Sequence, residues 1–219
     1  MTNPLAYAPI VATTCAIPQF LPQLRKVYRA PDAASVAGVS WTWAALTSLN
    51  NAAWLAYFAL QRYWAALVPA AAAVLLSGLL AGMLAARARP ARRPVLLVAG
   101  WAAVLAATGL ALGRAGLGTL LVAAFAVQVT PSLWTAYRTP CPAGISAGTW
   151  LLILAELACW LAFGLYRSDP RLIVLGLTGV TASALMLAAS RRARSGRPAQ
   201  HQQGGVVSRV VVADQAPHH

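Results

Sequence analysis

Charged residues are scarce in this sequence, and acidic residues are scarcer still. Of the 219 residues, 10% are Asp, Glu, Lys or Arg and only four are acidic, whereas 59% are apolar. Soluble domains carry about one-quarter charged residues. This composition argues against an ordinary water-soluble domain and indicates a protein of the lipid bilayer.

Residues that carry enzyme chemistry or bind metals are also few. The three cysteines are too few for a framework of disulfides, and the three histidines, His201, His218 and His219, lack a ligand-like spacing. The sequence has no Gly-rich phosphate loop, no paired carboxylates and no nucleophile with a base partner. We therefore expect neither an enzyme nor a bound metal or cofactor.

Long apolar stretches lie between the charged residues. The first ends before Arg25, and six more occupy residues 39–60, 63–86, 95–113, 117–137, 146–166 and 172–190. Each is close to the roughly 20 residues that a helix needs to cross a bilayer. Backbone polar groups in hydrocarbon must be bonded internally, so each stretch is predicted to be helical. The predicted fold is all-α, with seven transmembrane helices.

The basic residues, which give a net charge of +13, are distributed unevenly between the two sides of these spans. Four fall on the side of the N-terminus: Arg62, Arg114, Arg167 and Arg171. The other thirteen fall on the opposite side: Arg25, Lys26, Arg29, Arg87, Arg89, Arg92, Arg93, Arg138, Arg191, Arg192, Arg194, Arg197 and Arg209. Cytoplasmic loops carry such an excess, so we expect integration into the cell (plasma or inner) membrane with the N-terminus outside and the C-terminus cytoplasmic. The excess of basic residues then indicates how the chain is oriented in the membrane, and nucleic acid is not an expected partner.

One arrangement of residues occurs twice. The first copy is Pro22, Tyr28, Gly38, Ser40 and Trp54, and the second is Pro131, Tyr137, Gly144, Ser146 and Trp160. In both copies the proline and tyrosine are six residues apart, the glycine and serine two, and the serine and tryptophan fourteen. The repeat predicts two copies of one membrane unit. The predicted divisions are a first three-helix unit at 1–88, a basic loop and linker helix at 89–114, a second unit at 115–190 and a disordered basic tail at 191–219.

Each copy also places polar residues inside a span. Gln19 and Gln128 lie three residues before Pro22 and Pro131, and those prolines are either hinges or kinks at helix ends. Asn50 lies four residues before Trp54. It either holds neighbouring helices together or lines a solute cavity.

Glu156 holds the place in the second copy that Asn50 holds in the first, four residues before Trp160. A carboxyl group at the centre of a membrane helix costs about 3 kcal/mol on insertion scales. Glu156 is therefore either a proton-binding or substrate-binding group, or a neutral, hydrogen-bonded structural one.

The chain resembles the PQ-loop superfamily in its repeated features, which are a proline with a glutamine, a basic loop, Gly-x-Ser and a later tryptophan. Its arrangement of three spans, a linker and three spans is similar to that of the SWEET sugar transporters. The resemblance covers residues 5–190. It implies that each unit packs its helices in the order one, three, two around a central solute pathway that opens alternately to either side. It further implies that Pro22 and Pro131 are hinges, and that Glu156 and Trp160 stand where the family has Asn-x-x-x-Trp beside the cavity.

The expected function is therefore transport of a small polar solute, with a sugar as the first candidate. A proton-coupled carrier of an amino acid, using Glu156, is the alternative within transport. A receptor or chaperone-like membrane protein that binds its cargo without moving it is the alternative outside transport. The lipid bilayer and the solute are the expected partners, and association of several copies of the chain stays open.

Overall fold

The computed structural model describes residues 3–31, 39–87, 89–138 and 147–195, and the regular structure in them is helical. A short 3-10 helix at Pro4–Tyr7 precedes six α-helices: α1 (Ala8–Arg29), α2 (Trp41–Leu60), α3 (Trp64–Arg87), α4 (Arg92–Arg138), α5 (Ala147–Arg167) and α6 (Pro170–Ser195). The all-α prediction is confirmed for these residues. Gly38, Gly144, Ser146 and the tail from 196 onward lie outside them.

Five helical stretches in the described part of the chain are long and apolar enough to cross a membrane: Pro4–Arg29, Trp64–Arg87, Arg92–Thr130, Gly148–Arg167 and Pro170–Arg192. Their length and composition indicate a helical protein embedded in a membrane. Helix α2, which contains Asn50 and Asn51, is not among them.

Helix α4 is 47 residues long, and it is broken at Gly113. At 1.5 Å per residue it would measure roughly 70 Å, more than twice the thickness of a bilayer core. Gly113 has φ 62° and ψ −160°, which is not a helical conformation. The sequence predicts one apolar stretch ending at Gly113 and another beginning at Leu117, so the break falls where the two meet.

The helices pack in two groups. Helix α3 packs against both α1 and α2, and α6 packs against both α4 and α5. Between the groups, α1 meets α5 and α2 meets α4. A central core takes residues from all six helices: Ala12, Tyr57, Phe58, Ala70, Leu121, Trp160, Leu175 and their neighbours. Each group also has a small core of its own, around Val27 and Leu80 in one and around Ala136 and Met186 in the other.

The two ends of the helical bundle differ in composition. We call the end with the α2–α3 turn, the Gly113 break and the α5–α6 turn the Asp169 end. The opposite end, where α1, α3 and α4 finish in arginine, is the basic end. There Arg87 donates to the backbone carbonyl groups of Tyr28, at 3.3 Å, and of Ala30, which joins α3 to the end of α1.

The two turns at the Asp169 end have the same conformation. Arg62 and Ser168 are left-handed, with φ of 57° and 50°. The next amide in each turn, that of Tyr63 or Asp169, donates to the carbonyl five residues earlier at 2.9 Å. Both pairs are separated by 106 residues, as are Trp54 and Trp160. The sequence repeat is thus accompanied by a repeated turn.

Proline does not interrupt the helices that carry the candidate hinges. Helix α1 continues through Pro18 and Pro22, and the backbone of α4 is helical at Pro131. A proline inside a helix removes one backbone hydrogen bond, so each position remains a point of lower bending stiffness. The hinge role of Pro22 and Pro131 stays a prediction.

We predict that Gly113→Ala destabilises the protein. Its backbone conformation is one that essentially only glycine adopts, and a side chain there costs about 1–3 kcal/mol. A Cβ at Gly113 would meet nothing within 4 Å, so the cost is conformational rather than steric. Gly100→Ala is the control, because Gly100 also has open space but lies in regular helix, where alanine gains up to ~1 kcal/mol. Thermal unfolding in detergent should show a lower midpoint for Gly113→Ala alone, and equal midpoints for both variants would contradict the argument.

Candidate functional site

A cavity of about 240 Å³ lies where the two groups of helices meet, and all six helices contribute to its wall. It is smaller than the roughly 300–1,000 Å³ of pockets for drug-sized ligands, so it fits a small molecule. Its lining residues are Ala16, Gln19, Phe20, Trp43, Thr47, Asn50, Asn51, Trp54, Phe58, Pro69, Ala70, Ala73, Leu121, Phe125, Gln128, Glu156, Leu157, Trp160 and Leu175.

The structure brings six of the eight predicted site residues together on this cavity. They are the four candidate binding residues and the two glutamines: Asn50, Trp54, Glu156, Trp160, Gln19 and Gln128. Pro22 lies one turn beyond Gln19 on α1 and is not part of the lining. Pro131 is in α4, and its side chain is not among those that the structure describes. That these residues bind a solute stays a prediction.

Three stacked aromatic rings form one wall of the cavity. The ring of Phe58 lies 5.5 Å from that of Trp54, at an interplanar angle of 25°, and 5.1 Å from that of Trp160, at 9°. Phe58 therefore joins the two tryptophans of the repeat. Its position four residues after Trp54 puts it on the same helix face, but this spacing alone does not distinguish it from a core residue.

The carboxyl group of Glu156 is hydrogen-bonded across the helix interface. The side-chain amide of Gln19 donates to its Oε2 at 2.8 Å and to the backbone carbonyl of Cys15 at 3.2 Å. The side chain of Trp160 also interacts with this carboxyl group. A buried polar group needs such partners, and here they are neutral donors. The bond fixes α1 against α5 beside the cavity.

The two asparagines of α2 also have partners in the protein. The indole N–H of Trp101 donates to Oδ1 of Asn50 at 2.7 Å, and Nδ2 of Asn51 donates to the carbonyl of Thr47 at 2.8 Å. Trp101 belongs to the part of α4 before Gly113, which the sequence predicts to be a linker. Asn50 thus both lines the cavity and ties α2 to that segment.

Asp169 organises the closed end of the cavity. Its side chain is buried, with 3% of its surface exposed. The hydroxyl groups of Tyr57 and Tyr63 donate to Oδ2 at 2.5 Å and 3.2 Å, and the backbone amide of Arg171 donates to Oδ1 at 3.0 Å. One carboxyl group therefore connects α2 and the α2–α3 turn to the start of α6.

Further contacts extend this network. Gln61 donates to the hydroxyl of Tyr57 at 3.1 Å, and Nε of Arg171 donates to the carbonyl of Ala115 at 3.1 Å, just after the Gly113 break. The guanidinium of Arg167 lies 4.5 Å from the centre of the Tyr63 ring. Burial, with the nearby Asp169 carboxyl group, raises the pKa of Tyr63. Asp169 is not identifiable from the sequence, because its segment has the pattern of a polar turn between two spans.

The cavity is exposed towards the basic end. Trp43 is 38% exposed and Gln128 is also exposed, whereas Phe58 and Leu121 are each 2% exposed. The central core with Tyr57 and Phe58 spans both helix groups, but around Val27 and Ala136 each group has a separate core. Among the described residues, the two groups therefore share a core towards the Asp169 end and have separate cores towards the basic end.

No protein-family model, no curated protein and no solved structure matches this chain. The PQ-loop resemblance therefore depends on the repeated residues, and the function has to be argued from the geometry of the cavity.

We predict that Tyr57→Phe lowers the free energy of unfolding by about 1–3 kcal/mol, because the buried Asp169 oxygen loses its shortest hydrogen bond. Tyr63→Phe should cost less, because its bond to the same oxygen is longer at 3.2 Å. Tyr137→Phe is the control, since that hydroxyl bonds the Leu185 carbonyl at an exposed site. Unfolding in detergent with fixed lipid content measures all three. The same loss in all three variants would contradict a special role for Asp169.

Proposed function

We propose that this chain is an integral membrane transporter, related to the PQ-loop and SWEET proteins, that carries a small polar solute by alternating access. The observation that carries the proposal is the cavity. It lies between the two copies of the repeat, presents Trp54 and Trp160 together, is closed at the Asp169 end and is exposed at the basic end. A pathway that opens to one side at a time needs this combination.

In the proposed architecture the chain crosses the membrane seven times. One three-helix unit is α1 to α3, and the other is the part of α4 after Gly113 with α5 and α6. The part of α4 before Gly113 is the linker span. Three observations support this division: the equivalent turns at Arg62 and Ser168, the break at Gly113, and the central place of α3 and α6 in their groups.

The proposed orientation follows from the charges at the two ends. The basic end carries most of the arginines, and positively charged loops stay in the cytoplasm. The N-terminus is then outside and the C-terminus is inside. In this orientation the cavity is exposed to the cytoplasm. The structure then corresponds to an inward-facing state of a protein in the cell (plasma or inner) membrane.

A change to the outward-facing state would separate the halves at the Asp169 end and join them at the basic end. The hydrogen bonds from Tyr57 and Tyr63 to Asp169 cross between the halves, and they can be replaced by bonds to water when that end opens. The net value of a hydrogen bond is about 0.5–1.5 kcal/mol, so the two states can lie close in free energy. Pro22 and Pro131, on the first helix of each unit, are the proposed points of bending.

A sugar remains the first candidate solute because of the resemblance. The wall combines apolar rings with a few amides, which is typical of small-molecule sites that hold one polar ligand in a fixed orientation. A proton-coupled carrier of an amino acid is the second candidate. The observation that favours it is the bond between Gln19 and Glu156, which puts a titratable group on the cavity wall.

We predict that Trp54→Ala reduces solute uptake at least tenfold, because it removes a ring that lines the cavity and stacks on Phe58. Trp64→Ala is the matched control, since Trp64 is 68% exposed on the outer surface and uptake should be unchanged. Uptake of radiolabelled sugars and amino acids into proteoliposomes measures both, after unfolding scans confirm that both variants are folded. If the unsubstituted chain moves none of these solutes, transport is wrong and the receptor hypothesis gains.

We predict that uptake, if it is proton-coupled, depends on Glu156. A gradient of one pH unit can drive roughly tenfold accumulation by a carrier that moves one proton per solute. Glu156→Gln keeps the size of the side chain and can still accept a bond from Gln19, but it cannot exchange a proton. The variant should retain exchange of solute across the bilayer and lose accumulation. Uptake that ignores the gradient in the unsubstituted protein would eliminate this candidate.

A further inference from the structure

One ionisable group lies on the cavity wall. Of the lining residues that the structure describes, Glu156 is the only acidic one, and none is Lys, Arg or His. The basic residues are instead at the helix ends. A solute in this cavity therefore meets one carboxyl group and no positive charge that would neutralise it.

Two of the lining amides donate to partners within the protein, Gln19 with both of its N–H groups and Asn51 with one. Gln19 donates to a backbone carbonyl and to Glu156, and Asn51 donates to the Thr47 carbonyl. Carbonyl and carboxylate oxygens accept hydrogen bonds, so these partners fix which way each amide is turned. Gln19 can then offer a solute its amide oxygen, an acceptor, and Asn51 can offer its amide oxygen and one N–H.

Asn50 is turned the other way, because the indole N–H of Trp101 is a donor and occupies its oxygen. Its NH₂ group provides two N–H donors. Thr47 adds a buried hydroxyl that has no partner within the described part of the chain, and Gln128 adds an amide that can donate and accept. The described wall thus offers both donors and acceptors, and the Glu156 carboxyl group is the acceptor among them that can carry a charge.

Aromatic rings make up much of the remaining wall. The six are Phe20, Trp43, Trp54, Phe58, Phe125 and Trp160. The face of an aromatic ring attracts cations, and that of tryptophan attracts them most. The stack with Phe58 holds Trp54 and Trp160 in place next to the carboxyl group of Glu156, which is four residues from Trp160.

We propose that this cavity selects a small organic cation with one primary ammonium or guanidinium group, and that the Glu156 carboxylate is its counter-charge. Such a solute supplies N–H donors to the acceptors on the wall, and its positive charge stabilises the ionised form of the Glu156 carboxyl group. A neutral sugar would bring no counter-charge to an ionised carboxyl group, and an anion would be repelled by it. The inference rests on the proposed transport function for its physiological meaning, but the selectivity of the site can be measured separately.

The test compares butylguanidinium with butylurea, which has nearly the same shape and no charge. Binding to the purified full-length chain is measured by isothermal titration, with glucose as the sugar probe. We expect butylguanidinium to bind at least tenfold more tightly than butylurea, a difference of about 1.4 kcal/mol. In Glu156→Gln this preference should fall to about onefold. Glu156→Asp, which keeps the charge on a shorter side chain, should retain part of it and covers the case in which the amide variant does not fold.

The outcomes separate this inference from the transport proposal, since counterflow of the same probes in proteoliposomes is measured in parallel. Butylurea binding as tightly as butylguanidinium, a preference that survives Glu156→Gln, or no binding of either probe would overturn the inference. Glucose flux without cation binding would overturn it and leave transport standing. Selective cation binding without flux of any probe would support the site and overturn transport.

Discussion

Polar groups inside a membrane protein must find their partners within the protein, and this requirement determines how the two halves are joined. Glu156 on α5 is bonded to Gln19 on α1, and Asn50 on α2 is bonded to Trp101 on α4. Both bonds cross between the two helix groups. Because apolar packing gives little preference for one helix neighbour over another in lipid, such bonds define which helices meet. The cavity lies beside the same bonds, so the groups that hold the halves together are also its polar lining.

The Asp169 network has a different character from the contacts around the cavity. It lies at a helix end, and it gathers donors from α2, the α2–α3 turn and the start of α6 on one carboxyl group. Its partners are hydroxyl and backbone groups that water can replace. The apolar stack of Phe58 with Trp54 and Trp160 lies just inside it, in the central core. Closure at this end therefore combines exchangeable polar bonds with ring packing, whereas the basic end has no shared core in the described residues.

Much of the helical framework could be predicted from the charged residues that flank each apolar stretch. The stretch at 146–166 corresponds to α5 at Ala147–Arg167, and the one at 39–60 to α2 at Trp41–Leu60. Asn50 and Glu156 hold equivalent places in the two copies of the repeat, and the structure has both on the wall of one cavity. The partners could not be predicted. Trp101 lies 51 residues from Asn50 and Asp169 lies 112 residues from Tyr57, and a single sequence has no periodic signal for such pairs. Phe58 lies four residues after Trp54, a spacing that does not distinguish it from a core residue. Tyr57 and Tyr63 resemble the aromatic residues common at membrane boundaries, which concealed their role at Asp169.

The part of α4 before Gly113 breaks the symmetry between the two copies of the repeat at the cavity. Gln19 of the first unit bonds Glu156 of the second, so exact two-fold symmetry would pair Gln128 of the second unit with Asn50 of the first. Instead Asn50 accepts its bond from Trp101, and Gln128 is exposed on the cavity wall. The part of α4 before Gly113 has no counterpart in the repeat, so Asn50 receives its bond from that segment while Glu156 receives one from Gln19. The segment therefore satisfies one polar group of the pair, and the other, Glu156, is the one carboxyl group among the described residues that line the cavity.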